Sequence, residues 1–251
     1  FETWAELVLR EPDQLHKKGS HPTGVFGVIA AAAACARLRA LRADQTLNAL
    51  NLAASNSAGI MSNFGSMAKP LHVGWASRNG LMAARLAEAG ITASPDAIEH
   101  PQGLLSALSP QGSVDRDSPV KAGSCWRLPE HGLAIKKYPT CLSTHRLLDG
   151  LIELLEGRDV LPVQVKRVQI SMSARNAMIL RNNRPKTGLE AKFSAEFAAA
   201  SALLARKLTL GELSDEFVNS AEVQALMERV EVVCDNREDP VTGYAPYDEI
   251  T

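Results

Sequence analysis

Three short segments place cationic or nucleophilic side chains at predicted junctions between elements of structure. They are GSHPTG at 19–24, AKPLHVG at 68–74 and KKYPTCLSTH at 136–145. Side chains at such junctions could bind an anion or transfer protons, because the start of a helix carries free N–H groups and the positive end of the helix dipole. These three segments are therefore the candidate sites of chemistry.

In the first segment, His21 stands just before Pro22, at the predicted start of a helix. Together with Ser20 and Thr23, its imidazole could hold a substrate carboxylate at the helix N-terminus. The alternative is an ordinary cap region with a surface histidine. Spacing alone does not decide between these two interpretations.

In the second segment, Pro70 disfavours helical backbone at the preceding residue. This predicts that Lys69 lies at the junction just before a helix and that His72 lies on its first turn. A lysine in that position could neutralise a carboxylate or, if desolvated, transfer a proton. The alternative is a solvated lysine and a histidine that caps the core.

The third segment places Lys136, Lys137 and Tyr138 at the end of a predicted strand. Cys141 and His145 follow, four residues apart, and share one face if a helix starts at or just before the cysteine. A helix N-terminus stabilises a thiolate, so Cys141 could exchange a proton with help from Lys136 or His145. The alternative is a small cysteine packed as a hydrophobe. The spacing fits no usual zinc pattern, so no metal site is predicted.

The elements that position these segments differ between the two halves of the chain. In the first half, helices are predicted over 22–41, from Asp44 towards Gly65, from about His72 to Gly90, and briefly after Ser94. Many alanines and glycines in these helices predict helix axes that approach closely, and hence a tightly packed bundle.

The second half mixes both types of element. Residues 105–130 are polar and rich in Ser, Pro and Gly, which is typical of a linker. After it, strands are predicted over 133–137, 163–171, 178–180 and 230–234, and helices over 142–155, 190–206, 212–218 and 221–229. The predicted fold is mainly α with a second α+β domain: a partial helical domain over 1–125, then a smaller α+β domain over 126–251.

The composition excludes several classes of function. The chain has 251 residues, 45% of them hydrophobic, and a formal net charge of −1. These values argue against a disordered chain and against a nucleic-acid partner. The longest apolar run is too short to cross a bilayer, no export signal is recognised, and the four cysteines are widely spaced, so a cytoplasmic protein with reduced thiols is predicted. The abrupt ends favour segments missing on both sides.

Five stretches together resemble the MmgE/PrpD superfamily, in the family's order. They are HPTGVFGVIAAAAACARLRAL, NLAASNSAGI, MAKPLHVGWASRNGLMAARLAEAGI, KKYPTCLSTHRLLDGL and EAKFSAEFAAASALL. Family members include 2-methylcitrate dehydratase, cis-aconitate decarboxylase and iminodisuccinate epimerase. The resemblance implies a helical domain with a smaller α+β lid domain, an active site between them, no metal or organic cofactor, and a homodimer formed through the helical domain.

The resemblance also implies roles for individual residues. His21 matches the histidine of the family's HPT segment, Lys69 the lysine of its KxLH segment and Lys136 the lysine that opens its KxYP segment. The predicted catalytic residues are His21, Lys69, Lys136 and Cys141, and the predicted substrate-binding residues are His72, Tyr138, His145 and Arg181. Cys141 and Arg181 stand where some decarboxylases of the family have histidine and tyrosine, which favours a dehydratase or an epimerase-like subgroup.

The activity implied is that of a 2-methylcitrate dehydratase-like lyase of propionate metabolism. Such an enzyme moves a proton at a carbon next to a carboxylate of a small di- or tricarboxylic acid. The two histidines His21 and His145, with the two lysines, would be the cations that hold the carboxylates, and Cys141 would be an acid/base. The alternatives are an epimerase of an imino- or amino-dicarboxylate, a cis-aconitate decarboxylase-like enzyme, or a catalytically incomplete fragment with an interaction role. This last alternative draws support from the family's DDT motif, which has no match here.

Overall fold

The computed structural model describes residues 1–13, 15–121, 123–235 and 247–251. These residues form two compact units. Unit 1 comprises Phe1–Asn63 and Met67–Leu133, and unit 2 comprises Phe64–Ser66 and Ala134–Thr251. The domain limits expected from the sequence, 1–125 and 126–251, stay a prediction.

Unit 1 is built from helices. Its α-helices are α1 (Glu2–Val8), α2 (Pro22–Leu38), α3 (Ala43–Ala54), α4 (Ala68–Glu88), α5 (Leu104–Leu108) and α6 (Arg127–His131), and 3₁₀ turns lie at Leu15–Lys18 and Met61–Asn63. Helices α2, α3 and α4 pack on one another around a core that includes Phe26, Ile29 and Ala32. A Cβ added at Gly80 of α4 would lie 2.6 Å from the Cβ of Ala31. The predicted tight packing of this bundle is therefore confirmed.

Unit 2 combines helices with a small sheet. Its α-helices are α7 (His145–Leu155), α8 (Ala174–Ile179), α9 (Gly188–Ala191), α10 (Ala195–Ala205), α11 (Asp215–Val218) and α12 (Ala221–Met227), and 3₁₀ turns lie at Leu142–Thr144 and Pro162–Gln164. Its strands are β1 (Val168–Ser173), β2 (Val230–Asp235) and β3 (Glu249–Ile250). Strand β1 lies in the centre, parallel to β2 and antiparallel to β3.

The core of unit 2 surrounds α10. Apart from Glu196 and Ser201, this helix consists of apolar residues, as expected of a buried helix, and it packs against α7 and α12. Phe197, Leu147 and Ile170 are fully buried in the same core. The chain is thus mainly α with a small α+β unit, and the predicted fold class is confirmed.

Two strand predictions in the second half are wrong. Residues 133–137 form neither helix nor strand, and Ile135 is 88% exposed, because no described strand lies beside them to complete a ladder. Residues 178–180 fall on α8 and the residue that follows it. Helix α8 begins where the Ser173 hydroxyl accepts a hydrogen bond from the Asn176 N–H at 3.2 Å. The strand predicted over 163–171 begins only at Val168.

Three helix predictions in the first half also differ from the structure. Helix α4 begins at Ala68 rather than near His72, because Pro70 occupies its first turn, where a missing N–H breaks no hydrogen bond. Asp44 lies inside α3 rather than capping it. The helix expected after Ser94 is a series of turns. No helix of the described residues is both long and apolar enough to span a bilayer.

Candidate active site

Two buried histidines of unit 1 form the first part of the candidate site. His21 is the N-cap residue of α2 and is 6% exposed, and His72 is the fifth residue of α4 and is 4% exposed. Their Nδ1 atoms lie 2.9 Å apart, so a hydrogen bond joins the two rings. We call His21 and His72 the histidine pair. The interpretation of His21 as a surface histidine is wrong.

Two glycines, Gly24 and Gly59, make room for the histidine pair. The N–H of His21 donates to the carbonyl oxygen of Gly59 at 3.0 Å. A Cβ added at Gly59 would lie 3.3 Å from the Cβ of His21 and 3.4 Å from Nδ1 of His72, and the residue has a positive φ of 138°. A Cβ added at Gly24 would lie 2.4 Å from the carbonyl oxygen of Ala58. Glycine at these two positions therefore permits the loop before the Met61–Asn63 turn to lie against both rings.

Lys69 places a positive charge beside the histidine pair. It is the second residue of α4, so its predicted position on a non-helical junction is wrong. Burial lowers the pKa of His21 to about 4, with further contributions from Lys69, His72 and His16. Burial and then Lys69 also lower the pKa of His72. Both imidazoles are thus neutral near pH 7, and the expectation that His21 acts as a cation is wrong.

A small cavity borders His72. Its volume is about 220 Å³, and the residues that line it include Asn56, Asn63 and Asn79. Trp75 lines it as well, and its ring lies 6.2 Å from that of His72. The cavity lies wholly within unit 1 and could hold a small molecule that carries hydrogen-bonding groups.

The lysine–tyrosine segment at 136–140 in unit 2 is a loop closed by its own hydrogen bonds. The ammonium of Lys136 donates to the carbonyl oxygen of Thr140 at 2.6 Å. The hydroxyl of Tyr138 donates to Oδ1 of Asp149 at 2.8 Å, and Lys137 forms an ion pair with the same carboxylate. Asp149 was not predicted from the sequence, although it lies four residues after His145 on the same helix. It fixes the loop that carries Lys136.

His145 is the first residue of α7 and lies against this loop. It is 8% exposed, and the ring of Tyr138 packs edge-on against it with centroids 5.2 Å apart. Its Nε2 is buried without a hydrogen-bond partner among the described residues. Burial and then the charge of Lys136 lower the pKa of His145, while backbone carbonyls of the loop and the carboxylate of Asp149 oppose this shift. The lowered pKa favours the neutral imidazole, and the role of His145 in binding a substrate stays a prediction.

Cys141 lies before the 3₁₀ turn rather than on the first turn of α7. Its carbonyl oxygen accepts hydrogen bonds from the N–H and hydroxyl of Thr144, and its N–H donates to the carbonyl oxygen of Lys192 at 2.9 Å. The helix that would bring Cys141 and His145 to one face starts only at His145, so that prediction is wrong. The cysteine is half-buried and packs against the core of unit 2.

Arg181 is held by the same segment that holds Cys141. It forms a β-bridge with Ser194, and the next N–H, that of Asn182, donates to the carbonyl oxygen of Phe193 at 3.1 Å. Residues 192–194 therefore connect two positions that are far apart in sequence. Sequence reasoning missed this segment, because its role depends on backbone groups rather than on residue type.

The structure thus groups the predicted residues within each unit. His21, Lys69 and His72 lie together in unit 1, and Lys136, Tyr138 and His145 lie together in unit 2, with Cys141 and Arg181 on residues 192–194. Among the described residues, no three His, Cys, Asp or Glu side chains are placed to hold a metal ion.

Comparison with known proteins identifies the class to which this mainly α chain belongs. The model of the MmgE/PrpD N-terminal domain matches residues 2–117, and that of the MmgE/PrpD C-terminal domain matches residues 138–242. The chain belongs to the MmgE/PrpD superfamily, and the predicted family is confirmed.

Individual relatives match most of this chain. Cis-aconitate decarboxylase of Homo sapiens is 27% identical over 220 residues, which cover 86% of this chain and 45% of that protein. Cis-aconitate decarboxylase of Aspergillus terreus is 27% identical over 235 residues, which cover 86% of this chain and 47% of that protein. The chain therefore spans about half the length of the curated relatives it matches.

Proposed function

We propose that this chain carries part of the active site of a lyase that moves a proton at a carbon next to a carboxylate of a small di- or tricarboxylic acid. The main support is the group formed by His21, His72 and Lys69, which combines one cation with two neutral imidazoles. Lys69 and the helix N-termini would bind a carboxylate, and a neutral imidazole would accept a proton.

The group of His21, His72 and Lys69 suits two of the reactions that the family resemblance suggests, dehydration and decarboxylation. In dehydration, a base removes the proton of a C–H bond, its electron pair forms a C=C bond, and the hydroxyl group leaves as water after an acid protonates it. In decarboxylation, the electron pair of a C–C bond stays on carbon as CO₂ leaves, and an acid then delivers a proton to that carbon. Both reactions build negative charge next to a carboxylate, which Lys69 would stabilise.

For unit 2 we retain the predicted roles. Lys136 would be a second cation and Cys141 an acid/base, while Tyr138, His145 and Arg181 would bind substrate. The 2-methylcitrate dehydratase-like activity is the first candidate, because Cys141 and Arg181 depart from the decarboxylase pattern. Cis-aconitate decarboxylation is the second, because the relatives named above carry that name. A homodimer and a cytoplasmic location stay predictions.

The experiment incubates the purified chain with 2-methylcitrate and, separately, with cis-aconitate. Dehydration is followed by the absorbance of the new C=C bond, decarboxylation by release of CO₂, and binding by calorimetry. We expect Lys69→Met to lower kcat/KM for the acid that reacts about 100-fold. Lys166→Met, which changes an exposed lysine, is the matched control and should leave kcat/KM unchanged. Failure of the chain to bind or convert either acid, or a Lys69→Met variant of full activity, would contradict the proposal.

A further inference from the structure

We propose that unit 1 contains a second ligand site, a cavity lined by α1, α3, α5 and the segment before α6, and that it binds a small neutral molecule with an apolar body and one hydrogen-bond donor. The cavity has a volume of about 500 Å³, and all residues that line it belong to unit 1. Cavities that bind small organic molecules have volumes of this order. The inference goes beyond the proposed function and does not depend on it.

The walls of this cavity are mainly apolar. Leu7 of α1, Ile29 of α2 and Leu105 of α5 are buried residues at its surface. Leu50 of α3 and Ile98 line it as well and are partly buried. An apolar ligand would remove its own surface and that of these side chains from water. The body of the ligand is therefore apolar.

Two charged side chains build the cavity. Glu6 is buried and accepts hydrogen bonds from Arg10 at 3.4 Å and from Arg127 at 3.0 Å. Arg10 is buried too, and it donates to the carbonyl oxygens of Asp115 at 3.3 Å and Ser118 at 2.9 Å. These bonds hold the segment before α6 against α1. Both side chains are thus already paired without a ligand.

The charges at the cavity favour a neutral ligand. Besides Glu6 and Arg10, the charged residues of the lining are Glu99 and Arg116, so two positive and two negative charges cancel. A di- or tricarboxylate would lose its hydration in this apolar cavity without gaining a net counter-charge. The ligand of this site is therefore chemically different from the substrate of the proposed function.

Asn51 is the hydrogen-bond acceptor for the ligand. It lines the cavity and is 2% exposed, and its Nδ2 donates to the carbonyl oxygens of Leu47 at 3.1 Å and Pro95 at 3.2 Å. These two bonds fix the orientation of the amide, because the opposite orientation would place Oδ1 against two carbonyl oxygens. Oδ1 is buried and has no hydrogen-bond partner among the described residues. Since a buried acceptor without a donor is costly, a ligand hydroxyl or N–H that reaches Oδ1 is favoured.

The test uses p-cresol as the probe, because it has an apolar ring and one hydroxyl donor. p-Fluorotoluene is the matched ligand: it has nearly the same shape, but its fluorine donates no hydrogen bond. Binding to the full chain is followed by the NMR shifts of isoleucine and leucine methyl groups. We expect saturable shifts of Ile29, Leu50 and Leu105 with p-cresol, and an affinity about 10-fold lower for p-fluorotoluene. No saturable shift of these methyl groups, or equal affinity for the two ligands, would overturn the inference.

A filling variant tests the location of the site. Leu50→Trp places a large side chain at the cavity wall and should abolish saturable binding of both ligands. Leu86→Trp is the matched control, because Leu86 is 39% exposed on α4 and does not line the cavity; it should bind both ligands as the parent chain does. Unchanged binding in Leu50→Trp would overturn the inference.

A second variant tests the acceptor. Asn51→Leu removes Oδ1, so p-cresol and p-fluorotoluene should bind this variant with similar affinity. Retained binding of p-fluorotoluene shows that the cavity is still formed. A preference for p-cresol as large as in the parent chain would overturn the role of Asn51. If the variant does not fold, the comparison of the two ligands on the parent chain decides.

The binding experiment is also independent of turnover. Lys69 does not line this cavity, so Lys69→Met should bind p-cresol as the parent chain does. Loss of p-cresol binding in Lys69→Met would overturn the inference, because the probe would then occupy the candidate active site. Binding of p-cresol without turnover of either acid would support the inference and contradict the proposed function.

Discussion

The two units fill their cores with side chains of different size. In unit 1, helices α2 and α4 approach through Gly80 and Ala32, so backbone and small side chains are in direct contact. In unit 2, α10 is surrounded by large side chains such as Phe197 and Leu147. Unit 1 should therefore be most sensitive to added atoms, and unit 2 to removed atoms.

The units also hold their candidate site residues by different means. The histidine pair of unit 1 is fixed by the starts of two long helices and by glycines that let a loop close over it. The lysine–tyrosine segment of unit 2 is fixed by hydrogen bonds from Lys136 to the carbonyl oxygen of Thr140 and from Tyr138 to Asp149. A group packed between helices is desolvated, which is why His21 has the low pKa of about 4.

The largest expected effect is the removal of atoms from the core of unit 2. Leu147 is fully buried on α7, so Leu147→Ala should lower the free energy of unfolding by about 3–4 kcal/mol through lost burial and a residual cavity. The measurement is urea unfolding of the full chain, with hydrogen exchange to show that unit 2 is the part that loses protection.

Leu154→Ala is the matched control on the same helix. Leu154 is 42% exposed, so its truncation should cost less than about 1 kcal/mol. Equal losses for both variants would mean that the core of unit 2 does not depend on large side chains as described above.

Local sequence patterns predicted the fold class and many of the elements. Helix α2, helix α7 and strand β2 were placed within a few residues, because periodicity, capping residues and glycine stops act within one segment. The strands expected over 133–137 and 178–180 failed because a strand needs a partner that no local pattern supplies. The short strand β3 was missed for the same reason: it is defined by its pairing with β1.

The candidate site was predicted in part. Residue type and spacing singled out His21, Lys69 and Lys136, and the structure places charged or titratable partners beside each. The sequence could not show that His21 bonds to His72, because their 51-residue separation is closed by helix packing. It also could not show that the histidines are neutral, since their pKa depends on burial.

The second-largest expected effect is the loss of stability when an atom is added to the core of unit 1. A Cβ at Gly80 would lie 2.6 Å from the Val28 carbonyl oxygen and from the Ala31 Cβ, too close unless α2 and α4 move apart. Gly80→Ala should therefore lower the free energy of unfolding by about 2–3 kcal/mol, measured by urea unfolding.

Gly74→Ala on the same helix is the control for helix propensity. A Cβ at Gly74 meets nothing within 4 Å, so this variant should stabilise the chain by about 0.5–1 kcal/mol. The opposite signs of the two changes are the diagnostic result. Stabilisation by both variants would show that α2 and α4 can separate without cost.

The smallest expected effect is the pH dependence of stability that His21 causes. In the unfolded chain His21 has its ordinary pKa near 6.5, whereas in the folded chain the value is about 4. Between these two pKa values the unfolded chain binds more protons than the folded chain. The free energy of unfolding should therefore fall by about 2 kcal/mol when the pH is lowered from about 7 to about 5, through His21 alone. Urea unfolding across this range should show a shallower pH dependence in His21→Asn than in the parent chain. If His21→Asn keeps the pH dependence of the parent chain, His21 does not titrate as a buried neutral group. The contrast between a desolvated pair in unit 1 and a loop-held lysine in unit 2 would then lose its electrostatic basis.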